Sequence, residues 1–141
     1  MMQEALSKQW SRAGALPLAA LLSLVAMGAG LAASLSVPVI VGKVPEYDAC
    51  GSNGVVKGLD PHGDGFLAVR SGPGSQYQML DKLLEGQAVF VCDDRGQWLG
   101  VVYTRGQEDC GVDSALDRPK PYSGPCFSGW VYRNWITITA G

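Results

Sequence analysis

Between residues 66 and 103 the chain is built of short apolar-alternating runs separated by turn residues. That period of two constrains the fold most, because it buries one face of a strand and no continuous face of a helix. Leu67 and Val69 share one face of a first strand, and Ser71-Gly72-Pro73-Gly74-Ser75 stops it, since Pro73 lacks an N–H and fixes φ while the glycines accept turn geometry. Met79 and Leu83 are expected on one face of a second strand, Glu85-Gly86 turns the chain, and Val89 and Val91 are expected to fill the same interior from a third. Asp93-Asp94-Arg95-Gly96 reads as a tight hairpin, after which Leu99 and Val101 point inward and Trp98 outward. The expected fold class is all-β, a small antiparallel sheet curled on itself.

The run Leu-x-Val-Arg-Ser-Gly-Pro at residues 67–73, the aromatic Tyr77, the Leu-x-x-Gly turn, the strand Val89-Phe90-Val91 and Gly96-Gln97-Trp98 together resemble a bacterial SH3-type (SH3b) domain. Gly129-Trp130-Val131 with Trp135-Ile136 resembles that family's closing strand, so the likeness covers roughly residues 67–138. It implies an SH3-like β-barrel that serves as a binding or targeting module at the bacterial cell envelope, for peptidoglycan or a peptide, and it does not imply an enzyme. About 26 residues, 104–129, stand where many relatives have a short turn. With Pro119, Pro121 and Pro125 and no apolar period, that insertion is an ordered loop only if something ties it down.

The apolar residues are unevenly spread. Residues 13–42 carry no charge, and they are preceded by Lys8 and Arg12. A basic start, an apolar run over residues 15–26 and the small residues 28–33 read as a secretory signal cut after Ala32 or Ala33. The alternative is an uncleaved anchor extending to residue 42, since a bilayer span needs about 20 apolar residues. Either way the remainder is exported, to the periplasm or an equivalent space, and touches membrane only through an uncleaved N-terminal segment. Without Glu4, Lys8 and Arg12 the remainder keeps nine basic against twelve acidic residues. That balance excludes nucleic acid, whose phosphates need clustered Lys and Arg. Residues 43–65 read as an irregular arm with at most one extra strand, and the barrel is expected over residues 66–141.

Four cysteines in an exported segment of this size argue for two disulfides, because an oxidising compartment permits them and a small barrel has little core. Of the three connectivities, Cys110 with Cys126 would clip the inserted loop, and Cys50 with Cys92 would fasten the arm. Cys92 alternates out of phase with Val89 and Val91 and so faces away from the interior. Loop-closure entropy values these links at about 3 and about 4 kcal/mol. A zinc site is disfavoured, because no Cys-x-x-Cys spacing occurs and His62 is the lone histidine.

Asp60-Pro61-His62-Gly63-Asp64-Gly65 has the start of a calcium loop, but its twelfth position is Ser71 where a carboxylate is required, so it reads as a turn entering the first strand. A cysteine nucleophile needs a free thiolate and a histidine base, and with every thiol expected in a disulfide no catalytic residue, metal or cofactor is assigned. The candidate ligand-binding residues are Tyr77, Trp98, Asp93, Asp94 and Tyr122. In the SH3-type family the loops carrying Tyr77 and Trp98 border a groove, where aromatic walls bury sugar or peptide faces at low entropy cost. The competing reading has Tyr77 and Trp98 as lids on the barrel, with Tyr122 either bordering or sealing the groove. Trp130 and Trp135 are expected in the core or closing strand. A different function class, a scaffold that contacts a protein partner through the loop between Cys110 and Cys126, is the alternative.

Overall fold

A computed structural model describes Gly14 and residues 35–141. The leader expected over residues 1–33 lies outside the described residues, and with it the choice between cleavage and anchoring. The described chain is all-β. Its strands are β1 (Ile40–Val41), β2 (Ser52–Val56), β3 (Leu67–Arg70), β4 (Met79–Leu83), β5 (Ala88–Arg95), β6 (Trp98–Tyr103), β7 (Lys120–Pro121), β8 (Phe127–Tyr132) and β9 (Ile136–Ala140), with a 3-10 turn at Arg133–Trp135. Seven form one antiparallel sheet in the order β4-β3-β8-β6-β5-β2-β9, and β1 pairs with β7 separately. The expected barrel is not closed: β4 and β9 are the ends of the sheet and do not pair.

One apolar cluster draws Val56, Leu67, Val69, Leu83, Val89, Leu99, Val101, Tyr103 and Val131 from six strands, so the sheet curls around it. Leu99 and Val101 point into it as the alternation requires. The other face is also covered. A second cluster gathers Val39, Val41, Ala49 and Cys50 from the N-terminal arm, Cys110 and Val112 from the inserted loop, and Cys92, Val102 and Trp130 from the sheet. Trp130 is fully buried there and donates its indole N–H to the Val37 carbonyl at 2.7 Å, which satisfies its one polar group. Arm and loop are stitched together by Ala49 N–H to the Ser114 carbonyl (2.9 Å) and Tyr122 N–H to the Val39 carbonyl (2.9 Å). Both disulfides have the pairing favoured above, Cys50 with Cys92 and Cys110 with Cys126. Each fixes one component of this outer layer.

Three boundaries differ from expectation. Val39 and Val41 are buried, so residues 37–42 pack with the folded body. Residues 43–65 do contain one strand, β2, but it lies inside the sheet between β5 and β9, so the body does not begin at residue 66. The hairpin turn is Gly96-Gln97, because Arg95 and Trp98 still pair and β5 runs through both aspartates.

Register shifts explain the misplaced side chains. Between Val91 and Asp93 the β5/β6 ladder slips at Cys92, so Asp93 faces Gly100 and turns to the outer layer with Cys92. Gly100 permits this closeness, since a Cβ there would lie 2.6 Å from the Asp93 Cβ and 3.0 Å from Val39 Cγ1. A second slip between β3 and β4 breaks the phase of β4: Leu83 is buried while Met79 is exposed, contrary to their expected common face. Ile138 is half exposed on the end strand β9.

Candidate binding cleft

The outward face of β3 and the segments around it form a cleft of about 830 Å³. Ala68 and Arg70 supply its floor, because they alternate with the buried Leu67 and Val69. Pro73, Gly74, Ser75 and Gln76 from the β3–β4 loop make one wall, continued by Met79. Gln97 and Trp98 from the β5–β6 hairpin, Tyr132 at the end of β8 and Trp135 from the 3-10 turn make the other. Asp64 and Phe66 close it from the approach to β3. Trp98 stands opposite Tyr132 in the β6/β8 register, and the rings meet edge to face with centroids 5.5 Å apart.

The aromatic wall is held from behind. Arg133 donates from Nε to the Gly96 carbonyl at 2.8 Å and pairs through Nη2 with Asp94, while the Arg133 N–H reaches the Gln97 carbonyl at 2.8 Å. Asp94 also accepts the Gly96 N–H at 3.1 Å. The hydrogen bond from Arg133 holds the Asp94 carboxyl below the usual range, against a smaller opposing effect of desolvation. The tip that carries Trp98 and the turn that carries Trp135 are therefore one cross-linked unit, with Asp94 as its positioning residue.

The five candidate residues do not converge. Trp98 lines the cleft as expected, and Asp94 supports it from outside. Tyr77 does not line it: its ring lies against Gly72, where any side chain would collide with it, and its carbonyl accepts from Arg70 Nη1 at 3.0 Å. Asp93 is buried rather than displayed on a hairpin, and accepts the Ile40 N–H at 3.0 Å, the Asp94 N–H at 2.8 Å and the Lys43 ammonium. Tyr122 donates its hydroxyl to the Cys110 carbonyl at 2.8 Å and accepts the Cys126 N–H at 3.1 Å, so it clamps the inserted loop upon itself and borders no part of this cleft. Trp130 is core, as expected, but in the outer layer, whereas Trp135 is one-third exposed in the cleft wall. The Asp60–Gly65 run is a turn in which Asp60 accepts the His62 N–H at 2.8 Å.

Sequence reasoning passed over Arg70, Tyr132 and Trp135 as cleft residues. The outward phase of Arg70 in the alternation was a readable signal. The exposure of Trp135 follows from a 3-10 turn that presents no buried residue, for which the sequence carried only the turn itself.

No protein-family model, curated protein or solved structure matches this chain. What fold and site define together is an all-β, disulfide-linked domain with an aromatic-walled surface cleft. Two formed disulfides fit an oxidising, exported environment. Among the described residues no helix is long and apolar enough to cross a membrane.

Proposed function

We propose that this chain is an exported, non-enzymatic binding module of the bacterial SH3 type, which holds cell-wall peptidoglycan or a peptide in the cleft beside Trp98. The observation that carries the reading is one open cleft lined by the aromatic side chains of Trp98, Tyr132 and Trp135 together with residues Pro73, Gly74, Ser75 and Gln76. Flat rings with few rotatable bonds bury sugar and peptide faces at small entropic cost, and the Arg133–Asp94 cross-link has already ordered the wall. The family reading rests on the resemblance in residues 67–73 and 96–98, of which Leu67, Ala68, Arg70, Pro73, Gln97 and Trp98 line that cleft. The two disulfides support a periplasmic or equivalent location.

The scaffold alternative loses Cys110 and Val112 at the base of the inserted loop as contacts, since they are buried against the chain's own Trp130 cluster, and keeps the exposed residues 117–121. Retention on purified cell wall tests the proposal. Trp98→Ala is expected to lower retention about tenfold, in keeping with about 1–3 kcal/mol for one stacked aromatic contact. Undiminished retention by a folded Trp98→Ala protein would remove the cleft from the account.

A further inference from the structure

Lys57, Lys82, Arg95, Arg118, Lys120 and Arg70 form no ion pair among the described residues, and of these Arg70 is the one that lines the cleft. Lys43, Arg105 and Arg133 are each paired with a carboxylate, on Asp93, Asp81 and Asp94 respectively. Among the described residues Arg70 has no carboxylate within 4.0 Å, and its hydrogen bond is a single one, from Nη1 to the Tyr77 carbonyl at 3.0 Å. It is half-buried on the cleft floor, between the Pro73–Gln76 wall and Met79. A guanidinium tethered at one nitrogen keeps its other N–H groups in a fixed planar fork, which matches the two oxygens of a carboxylate.

Resting on the function proposed above, we infer that Arg70 binds the terminal carboxylate of a peptide whose last residues lie along Trp98. The lining argues against a multiply charged ligand. Asp64 shares the cleft with Arg70, so the two formal charges cancel, and a polyanion such as a phosphate-rich polymer meets repulsion at the Asp64 lip. Ser75, Gln76 and Gln97 supply hydroxyl and amide groups that can serve a peptide backbone, and Trp98 and Met79 supply its apolar contacts. Tyr77 is thereby given a role other than ligand contact. Its carbonyl orients the guanidinium that meets the ligand.

The test is calorimetric titration of the full, oxidised chain with four probes. These are a stem-type pentapeptide with a free carboxyl end, the same peptide as its C-terminal amide, a neutral N-acetylglucosamine oligomer, and the oligomer carrying a lactyl carboxylate. The free acid is expected to bind at least about tenfold more tightly than the amide, as a charge-assisted pair against a neutral one requires. Arg70→Gln is expected to erase that ratio, and Arg70→Lys to restore part of it. Equal binding of acid and amide overturns the inference without any variant, and so does a ratio that survives Arg70→Gln. Binding of the lactyl oligomer with no binding of either peptide places the carboxylate on a sugar and likewise overturns it. Absence of an acid preference in the unsubstituted chain, beside intact, Trp98-dependent cell-wall retention, refutes Arg70 alone, whereas absence of that retention refutes the proposed function.

Discussion

Removing the Asp93 carboxylate separates a fold residue from a ligand residue. Its side chain is wholly shielded from solvent and holds three donors, the Ile40 N–H, the Asp94 N–H and the Lys43 ammonium. In Asp93→Ala the Ile40 N–H is stranded beneath the outer layer, which costs about 1–3 kcal/mol. The Lys43 side chain is 40% exposed and regains water, so the lost pairing adds only about 1 kcal/mol. The Asp94 N–H lies nearer the exposed hairpin end and adds less. The sum is about 2–4 kcal/mol, against a total stability on the order of 5–15 kcal/mol for a domain. Asp93→Asn keeps one acceptor oxygen and should lose about half as much. Denaturant unfolding of the oxidised protein, followed by tryptophan fluorescence, measures both values, with the midpoint moving at constant slope. A loss below about 1 kcal/mol for Asp93→Ala, together with weaker cell-wall retention, would refute the buried-clasp reasoning and return Asp93 to the ligand surface.

Gly100→Ala should press its methyl into the Asp93 Cβ and Val39 and lift the arm, costing about 1–3 kcal/mol in the same unfolding assay. Arg105 holds Asp81 and donates to the Lys82 carbonyl at 2.9 Å on β4, an end strand of the sheet. Arg105→Ala is expected to free that edge and produce concentration-dependent association in sedimentation velocity, while a strictly monomeric variant would show that the edge needs no guard. For pH, hydrogen bonds from the Gly58 and Leu59 N–H groups lower the Glu85 carboxyl, and those from Thr104 and Arg133 lower Glu108 and Asp94. Asp81 is lowered too, although burial opposes it, by the Tyr103 hydroxyl, the Lys82 N–H and Arg105. Groups lowered on folding contribute stability above their unfolded values and lose it as pH falls through the folded ones. The unfolding midpoint should therefore be level above about pH 5 and decline below about pH 4. Burial and the neighbouring Asp81 raise the Tyr103 hydroxyl, so a separate decline should begin above about pH 10.

The inner core was legible because alternation reports directly which side of a strand is dry: Leu67, Val69, Val89, Leu99 and Val101 all sit in the cluster that their spacing indicated. Both disulfides were legible as well, since the outward phase of Cys92 and the bracketing of the inserted loop are properties of linear order. The cleft was half legible. Trp98 followed from its phase, but the Tyr77 ring lies against Gly72, and Asp93 and Tyr122 are claimed by backbone groups that are remote from the cleft.

The sequence by itself determined an all-β chain with a dry inner face, an outward-facing Trp98 and a sulfur cross-link for each irregular segment. Only the tertiary structure decided that the outer face is buried too, that Asp93 is a clasp rather than a ligand group, and that Trp135 and Arg70 share a cleft. The reason is physical. Alternation is a local property of each strand, whereas a one-residue slip such as that at Cys92, and the layer that settles over it, exist only once distant segments have met.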